Sequence, residues 1–279
     1  MERNKEKWFS DKPIGKVIVT HHHPDHVGLA GWFQTEFKAD LWMSRTAWLM
    51  ARMLRLDYQK LPTEETINFW RRAGMDDLIL NERATGKPFN FGDSVHEMPL
   101  GFRRIIDGEK IILGNRSWIV RVGNGHAPEH LTLWCEDEPI VIAGDQIISS
   151  ISPNLGVYAT EPEADPVQEW LMSCEAFLPF SNDKQLVLPG HKLPFYGLPH
   201  RLKQLIENHH SALKRLVAFL KEPQTAVDCF PVLFNRKISD NEYGLALVEA
   251  VAHLNHLYRK KIVKRELNSK GAYVYTLKN

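Results

Sequence analysis

Short β-branched runs that end at glycine or at a polar loop are the clearest hydrophobic pattern in the chain. Residues 16–20, Lys-Val-Ile-Val-Thr, form such a run and predict a buried strand. Residues 39–43 predict another strand, with helical spacing on both sides of it, over 28–37 and 46–56. Residues 57–92 hold a helix start at Thr63-Glu64-Glu65-Thr66, and Gly86, Pro88, Gly92 and Asp93 then break the periodicity. That section reads as an irregular, partly helical insertion. Beyond it, Ile105-Ile106 and Lys110 to Leu113 flank an Asp107-Gly108 turn, and strands follow over 118–122, 131–135, 140–143 and 185–188. Helices are expected over 166–178 and 199–221. The remainder predicts helices over 225–234 and 242–259, the second with Leu247, Val251, Leu254 and Tyr258 on one stripe. A hairpin over 262–267 and 272–277 closes the chain, and helices followed by such a hairpin read as a winged helix.

Charge adds a boundary to this α+β pattern. Residues 1–200 carry 21 Lys and Arg against 27 Asp and Glu, whereas residues 201–279 carry 14 against 7. The shift predicts a domain over 1–200 and a helical, winged-helix domain over 201–279. The net charge of +1 over 279 residues assigns no partner by itself. Cys135, Cys174 and Cys229 are sparse and odd in number, which predicts reduced thiols and a cytoplasmic protein. Met1 to Lys7 is too charged for a signal peptide, and no run is apolar enough to span a membrane.

The chemistry sits where the strands end. The first run leads into His21-His22-His23-Pro24-Asp25-His26, a set of imidazoles and a carboxylate suited to zinc, iron or manganese. A cluster of surface histidines is the plain alternative. Three more strands end the same way, however, each with glycine directly before a candidate ligand. Gly125 precedes His126 in Gly-His-Ala-Pro-Glu-His, Gly144 precedes Asp145, and Gly190 precedes His191. One such site would be only a turn; four at strand ends point to a metal centre.

The set His-x-His-x-Asp-His, Gly-His-Ala-Pro-x-His, Ala-Gly-Asp and Pro-Gly-His resembles the metallo-β-lactamase superfamily of hydrolases over residues 15–200. The resemblance implies an αββα sandwich with two metals at one edge. His21, His23 and His126 would hold the first metal, Asp25, His26 and His191 the second, and Asp145 would bridge them. Zinc is the expected ion, with iron and manganese as the alternatives. His22 occupies a variable position and is expected to be solvated or hydrogen-bonded, and His130 to be structural or to support a ligand. Helices plus a hairpin after Pro-Gly-His are similar to the winged-helix tail of the branch that includes lactamase-like protein 2. Members usually have several tens of residues of strand before the first ligand loop, whereas 20 residues precede His21 here. Residues 16–20 are therefore expected to lie at an open side of their sheet, since residues 1–15 lack the alternation to replace those strands.

Two such metals imply a bridging hydroxide that attacks a carbonyl or phosphorus centre, with Asp25 orienting it. Glu129 and Asp165 are candidates to fix the second nitrogens of the ligand histidines. Trp42, Trp48, Met53, Phe69, Trp70 and residues 192–196 are candidates for a pocket. The expected substrate is a small acyl compound, an ester, thioester or lactone. A metal-dependent nuclease or phosphodiesterase is the alternative, and a nucleic-acid-binding protein with an inactive site ranks last. Nucleic acid and membrane partners are not expected, and the sequence leaves the oligomeric state open.

Overall fold

Alternation along the strands sorts the apolar side chains into three clusters, and the clusters define the layers. The structure, a computed structural model, describes residues 13–278. β1 (Lys16–Ile18) runs into the ligand loop and the single turn α1 (Pro24–Val27), which is followed by α2 (Ala30–Phe37). β2 (Asp40–Met43) pairs parallel with β1, and α3 (Arg45–Leu56) follows it. Leu41 and Met43 of β2 face the helices and pack with Val27, Ala30, Ala47 and Ala51. Trp42 turns to the other side and joins Ile18 and Ile105. The period of two thus places helices on one face of this sheet and leaves the other for a second sheet.

Residues 57–92 are more regular than their sequence predicts. They form α4 (Glu64–Arg72), capped by the Thr63 hydroxyl, which accepts from Thr66 N–H at 3.3 Å. The second helix is α5 (Asp77–Thr85), capped by Asp76, which accepts from Leu78 N–H at 2.9 Å. The expected hairpin around Asp107-Gly108 is replaced by a crossing between sheets. β3 (Arg103–Arg104) pairs with β2, whereas β4 (Lys110–Leu113) pairs with β5 (Arg116–Gly123). Ile105 decides this: it is buried between the two sheets and its N–H bonds to Met43 O at 3.0 Å.

The second sheet has the order β4-β5-β6-β7-β8, with β6 (His130–Cys135), β7 (Ile140–Gly144) and β8 (Leu186–Pro189). Its pairs are antiparallel except β7 with β8. Leu131 and Leu133 face the first sheet, and Trp134, Val141, Ala143 and Val187 face helices α6 (Pro166–Phe177), α7 (Leu198–Phe219) and α9 (Tyr243–Arg259). The four layers are therefore helix, sheet, sheet, helix, the α+β sandwich that the resemblance implies. β1 is less buried than expected, with Lys16 exposed and Val17 and Ile18 half-buried. Among the described residues it has a strand partner on one side only. Residues 1–12, which bear on that expectation, lie outside the described residues.

The C-terminal part packs into the same apolar cluster as the second sheet. Only Phe230–Phe234, α8, is helical in the stretch expected over 225–234. Upstream of it residues 226–229 form turns, over which Thr225 and Asp228 exchange bonds, Thr225 N–H to the Asp228 carboxylate at 2.9 Å and Asp228 N–H to Thr225 Oγ1 at 3.3 Å. Helix α9 is buried on nearly all sides, not along one stripe, and His253, Asn255 and His256 are buried with it. β9 (Val263–Leu267) and β10 (Tyr273–Leu277) form the expected hairpin. Among the described residues no helix is long and apolar enough to cross a membrane.

Asp165 ties α6 to α9. Its carboxylate caps α6 by accepting from Gln168 N–H at 3.0 Å and meets His256 Nδ1 of α9 at 3.0 Å. Burial alone would raise its pKa, but the bonds from His256 and Gln168 outweigh burial and hold it below the ordinary range. A depressed folded pKa stabilises the protein above the unfolded value, and that stability is lost as pH falls through the folded one. Asp165→Ala should cost about 2 kcal/mol in urea unfolding at neutral pH, from a lost cap and a lost charged hydrogen bond. The difference from the parent should shrink below about pH 4. Coincident unfolding curves at pH 7 would contradict this role.

Candidate metal centre

Strands β5, β7 and β8 run in the same direction, so their C-terminal ends lie along one edge of the second sheet. His126, Asp145 and His191 follow those ends. Thr20 O accepts from Leu131 N–H at 2.8 Å, which brings the loop after β1 to the same edge. Pro24 at the start of α1 turns the chain sharply enough to place Asp25 and His26 beside His21 and His23. Two glycines make the convergence sterically feasible. Gly125 has φ +99°, and a Cβ there would press on Pro166 O and Trp170. Gly144 has φ +51°, and a Cβ there would lie 2.6 Å from His130 Cε1.

Asp145 Oδ2 is the common point. It lies 3.2 Å from His26 Nε2, 3.3 Å from His191 Nε2, 3.5 Å from His126 Nε2 and 4.0 Å from His21 Nε2. Three trios have donor atoms within 4.8 Å of one another: His21, His23 and His126; His21, His26 and Asp145; and Asp25, His26 and His191. The structure thus brings together all seven residues singled out by sequence. The first and third trios divide as the resemblance implies, and the second joins them through Asp145. Burial is graded across the group. His21 is fully buried, Asp145 nearly so, and the side chains of His191 and Asp25 are 46% and 56% exposed.

The electrostatics favour neutral imidazole on the buried side. Burial, with the neighbouring rings, pushes His21 far below its ordinary pKa and His23 down to about 2. For His26 burial also acts downward, but the Asp145 contact and the charges of Asp145 and Asp25 outweigh it and the pKa rises. Burial alone would raise Asp145, yet the surrounding histidines, with His26 the one placed to donate to it, carry its carboxyl well below the carboxylate range. On the buried side, neutral His21 and His23 beside an ionised Asp145 are in the protonation states that a divalent cation requires of its ligands, whereas at His26 a cation would take the place of the proton that Asp145 favours.

The second nitrogens are held differently from the sequence expectation. Glu129 accepts from Thr46 N–H at 2.7 Å, and Asp165 binds His256, so neither serves a ligand histidine. His126 Nδ1 instead donates to Asn154 O at 2.9 Å, and His21 Nδ1 lies 3.0 Å from Thr20 Oγ1. A backbone carbonyl carries no sequence signature, and nothing at Asn154 marks it in advance. His130 is fully buried; its Nε2 accepts from Asp145 N–H at 3.1 Å and its ring stacks on His21, which makes it a support for two ligands. His22 is buried, not solvated, because its ring wedges against His23, and its Nδ1 has no hydrogen-bond partner. Burial lowers it to about 4. Of the pocket candidates, Phe69 and Trp70 belong to the helix-side core, Trp48 stacks on Phe102, and Trp42 lies under Arg103. Leu193 and Tyr196 are exposed after His191.

The donor set fits divalent metal. Because Asn154 O can only accept, His126 carries its proton on Nδ1 and points a bare Nε2 lone pair at Asp145. That Nε2 and Asp145 Oδ1 are buried without hydrogen-bond partners. The bare Nε2 also faces the other oxygen, Asp145 Oδ2, at 3.5 Å, and two such acceptors are repulsive unless a cation lies among them.

Comparison with known proteins agrees with this geometry. The metallo-beta-lactamase superfamily model matches residues 3–191, and a model of a metallo-beta-lactamase-like C-terminal domain matches residues 213–278. The chain is 23% identical to the "Probable metallo-hydrolase YqjP" of Bacillus subtilis strain 168, covering 95% of this chain and 81% of that one. A beta-lactamase domain protein from Burkholderia ambifaria superposes with a TM-score of 0.89 at 30% identity, over 99% of this chain and 79% of that one. A metallo-beta-lactamase family protein from Thermus thermophilus gives a TM-score of 0.71 at 26% identity, over 95% and 80%. The superfamily match spans every donor that converges on Asp145, and the chain belongs to the metallo-beta-lactamase superfamily as one of its metal-dependent hydrolases.

Proposed function

We propose that the protein hydrolyses a small acyl substrate, an ester, thioester or lactone, at a dinuclear centre. His21, His23 and His126 would hold one metal, Asp25, His26 and His191 the other, and Asp145 both. The observation that carries this reading is the division of the donors into two trios joined by a single carboxylate. Zinc suits these nitrogen and oxygen donors best, with iron or manganese as alternatives. When bound, two such ions supply Lewis acidity and a water acidified towards neutrality.

The chain's own groups would do the rest. Asp25 is the exposed carboxylate of the set, with Oδ2 3.0 Å from His191 Nε2 and 3.5 Å from His26 Nε2. It faces the open side, where it can hold the attacking water by one hydrogen and take up its proton as the carbonyl carbon is attacked. The bond from that carbon to the leaving oxygen or sulfur then breaks, and the proton passes to the departing group. His21, Asp145 and His130 are shielded from water and fix the geometry on the closed side. Leu193 and Tyr196, two and five residues after the exposed His191, offer an apolar rim suited to an acyl chain.

Nucleic acid is the less supported substrate. The basic tail residues are partly engaged already: Arg265 pairs with Glu163 at 2.9 Å and packs over Tyr258 and Tyr273, and Lys264 pairs with Glu266. We read the C-terminal part as a helical, winged-helix domain that serves as a structural cap. Three unpaired cysteines support a reducing, cytoplasmic setting.

Two outcomes test this reading. Gently purified or reloaded protein should contain about two metal equivalents per chain by elemental analysis; less than half an equivalent of any transition metal would contradict it. Asp25→Asn should lower kcat on thioester, lactone or ester substrates by at least about 100-fold while one metal remains bound. His22→Ala should leave kcat nearly unchanged, because His22 lies outside both trios. Loss of activity in His22→Ala together with its retention in Asp25→Asn would reverse the roles, and cleavage of phosphodiesters alone would favour a nuclease.

A further inference from the structure

We infer that Asn154 and Glu249 are positioning residues for His126, and that helix α9 serves as the template on which this part of the metal centre is aligned. The inference rests on the reading of His126 as a metal ligand. The His126 ring is oriented by one acceptor, the backbone carbonyl of Asn154, 2.9 Å from Nδ1. That carbonyl lies in the segment between β7 and α6, which has no helix or strand of its own. Backbone without regular structure takes its position from whatever clamps it.

The clamp is α9. Asn154 Nδ2 donates to Glu249 Oε2 at 2.8 Å and to Leu245 O at 3.2 Å, two points one turn apart on that helix. Three residues on, Val157 N–H donates to Val248 O at 3.1 Å. Further along, Asn255 Nδ2 donates to Pro162 O at 2.9 Å and Ala164 O at 3.0 Å, and Asp165 meets His256. The segment therefore follows α9 for about three turns. Leu155 and Val157 are buried on the way, which prevents it from lifting off. Asn154 uses both its parts: the side chain reads α9 and the main chain reads His126.

Glu249 is the unusual member. It is half-buried at the cavity wall, and the loss of water around it, only partly offset by the Asn154 bond, raises its carboxyl to about 7. Arg215 lines the same cavity of about 300 Å³ but turns its guanidinium to Val232 O, Leu233 O and Ser211 Oγ. An acid whose folded pKa lies above its unfolded value costs stability as pH rises between the two. A side chain that weakens the fold at neutral pH, yet receives the amide that places a ligand's acceptor, fits a positioning role better than a packing role.

The test reads the ring and the metal separately. Full-length protein labelled with ¹⁵N-histidine, stripped of metal, reports the His126 tautomer through long-range ¹H–¹⁵N correlations; zinc affinity is then measured by competition with a chromophoric chelator. The parent should show His126 protonated on Nδ1 alone. Asn154→Ala and Glu249→Ala should give a mixture of tautomers and weaken the tighter zinc site by about 10–100-fold. Glu249→Gln should restore both readouts, since its amide oxygen accepts the same hydrogen bond. A purely packing role would leave the tautomer untouched in every variant that folds. An unchanged tautomer and unchanged affinity in folded Asn154→Ala and Glu249→Ala would overturn the inference, as would an Nε2-protonated ring in the parent. A parent with the Nδ1-protonated ring that binds no zinc would instead remove the metal-ligand reading, and the inference with it.

Discussion

The crowding of histidine nitrogens around one oxygen of Asp145 is the constraint on which the rest of the structure depends. Four imidazoles approach that oxygen within 3.2–4.0 Å, two from the loop and turn after β1 and one each from the ends of β5 and β8. Side chains of this kind repel or stay hydrated when left to themselves, so the scaffold must hold them in place. The parallel run of β5, β7 and β8, the loop locked to β6 by the Thr20–Leu131 bond, and the glycines before His126 and Asp145 all serve that end. His130 completes the closed side, bonded to the Asp145 main chain and stacked on His21.

The layering follows from the same strands. Because β6 and β7 alternate apolar residues on both faces, the second sheet must be covered on both, by the first sheet and by helices. The helical cover includes α9, and α9 also holds the segment that carries the acceptor for His126. Core packing and the orientation of the His126 ring are therefore functions of one element.

The donors were legible in the sequence because their identity is chemical and their setting local. At three of the four sites a strand, a glycine and a histidine or aspartate occupy neighbouring positions, and at the other the strand runs directly into the histidines. The supports were not legible. Asn154 acts on His126 through a main-chain carbonyl, which any residue could provide, and its anchor Glu249 lies 95 residues away. Glu129 and Asp165 are eligible as carboxylates, but the fold draws them to Thr46 and His256. Strand β3 escaped notice for a related reason. Its two residues are arginines, and its place beside β2 is set by the buried Ile105 that follows. The start of the helix over 64–72 was legible from its cap at Thr63, whereas the helix over 77–85 was obscured by the glycine and proline that follow it, although its cap was present at Asp76.

The central claim is that two cations share the Asp145 carboxylate. Anomalous diffraction from crystals of the zinc-loaded protein, recorded at the zinc edge, tests it most directly. The account predicts two peaks flanking Asp145, one among His21, His23 and His126 and one among Asp25, His26 and His191. A single peak, or none in contact with Asp145, would contradict it.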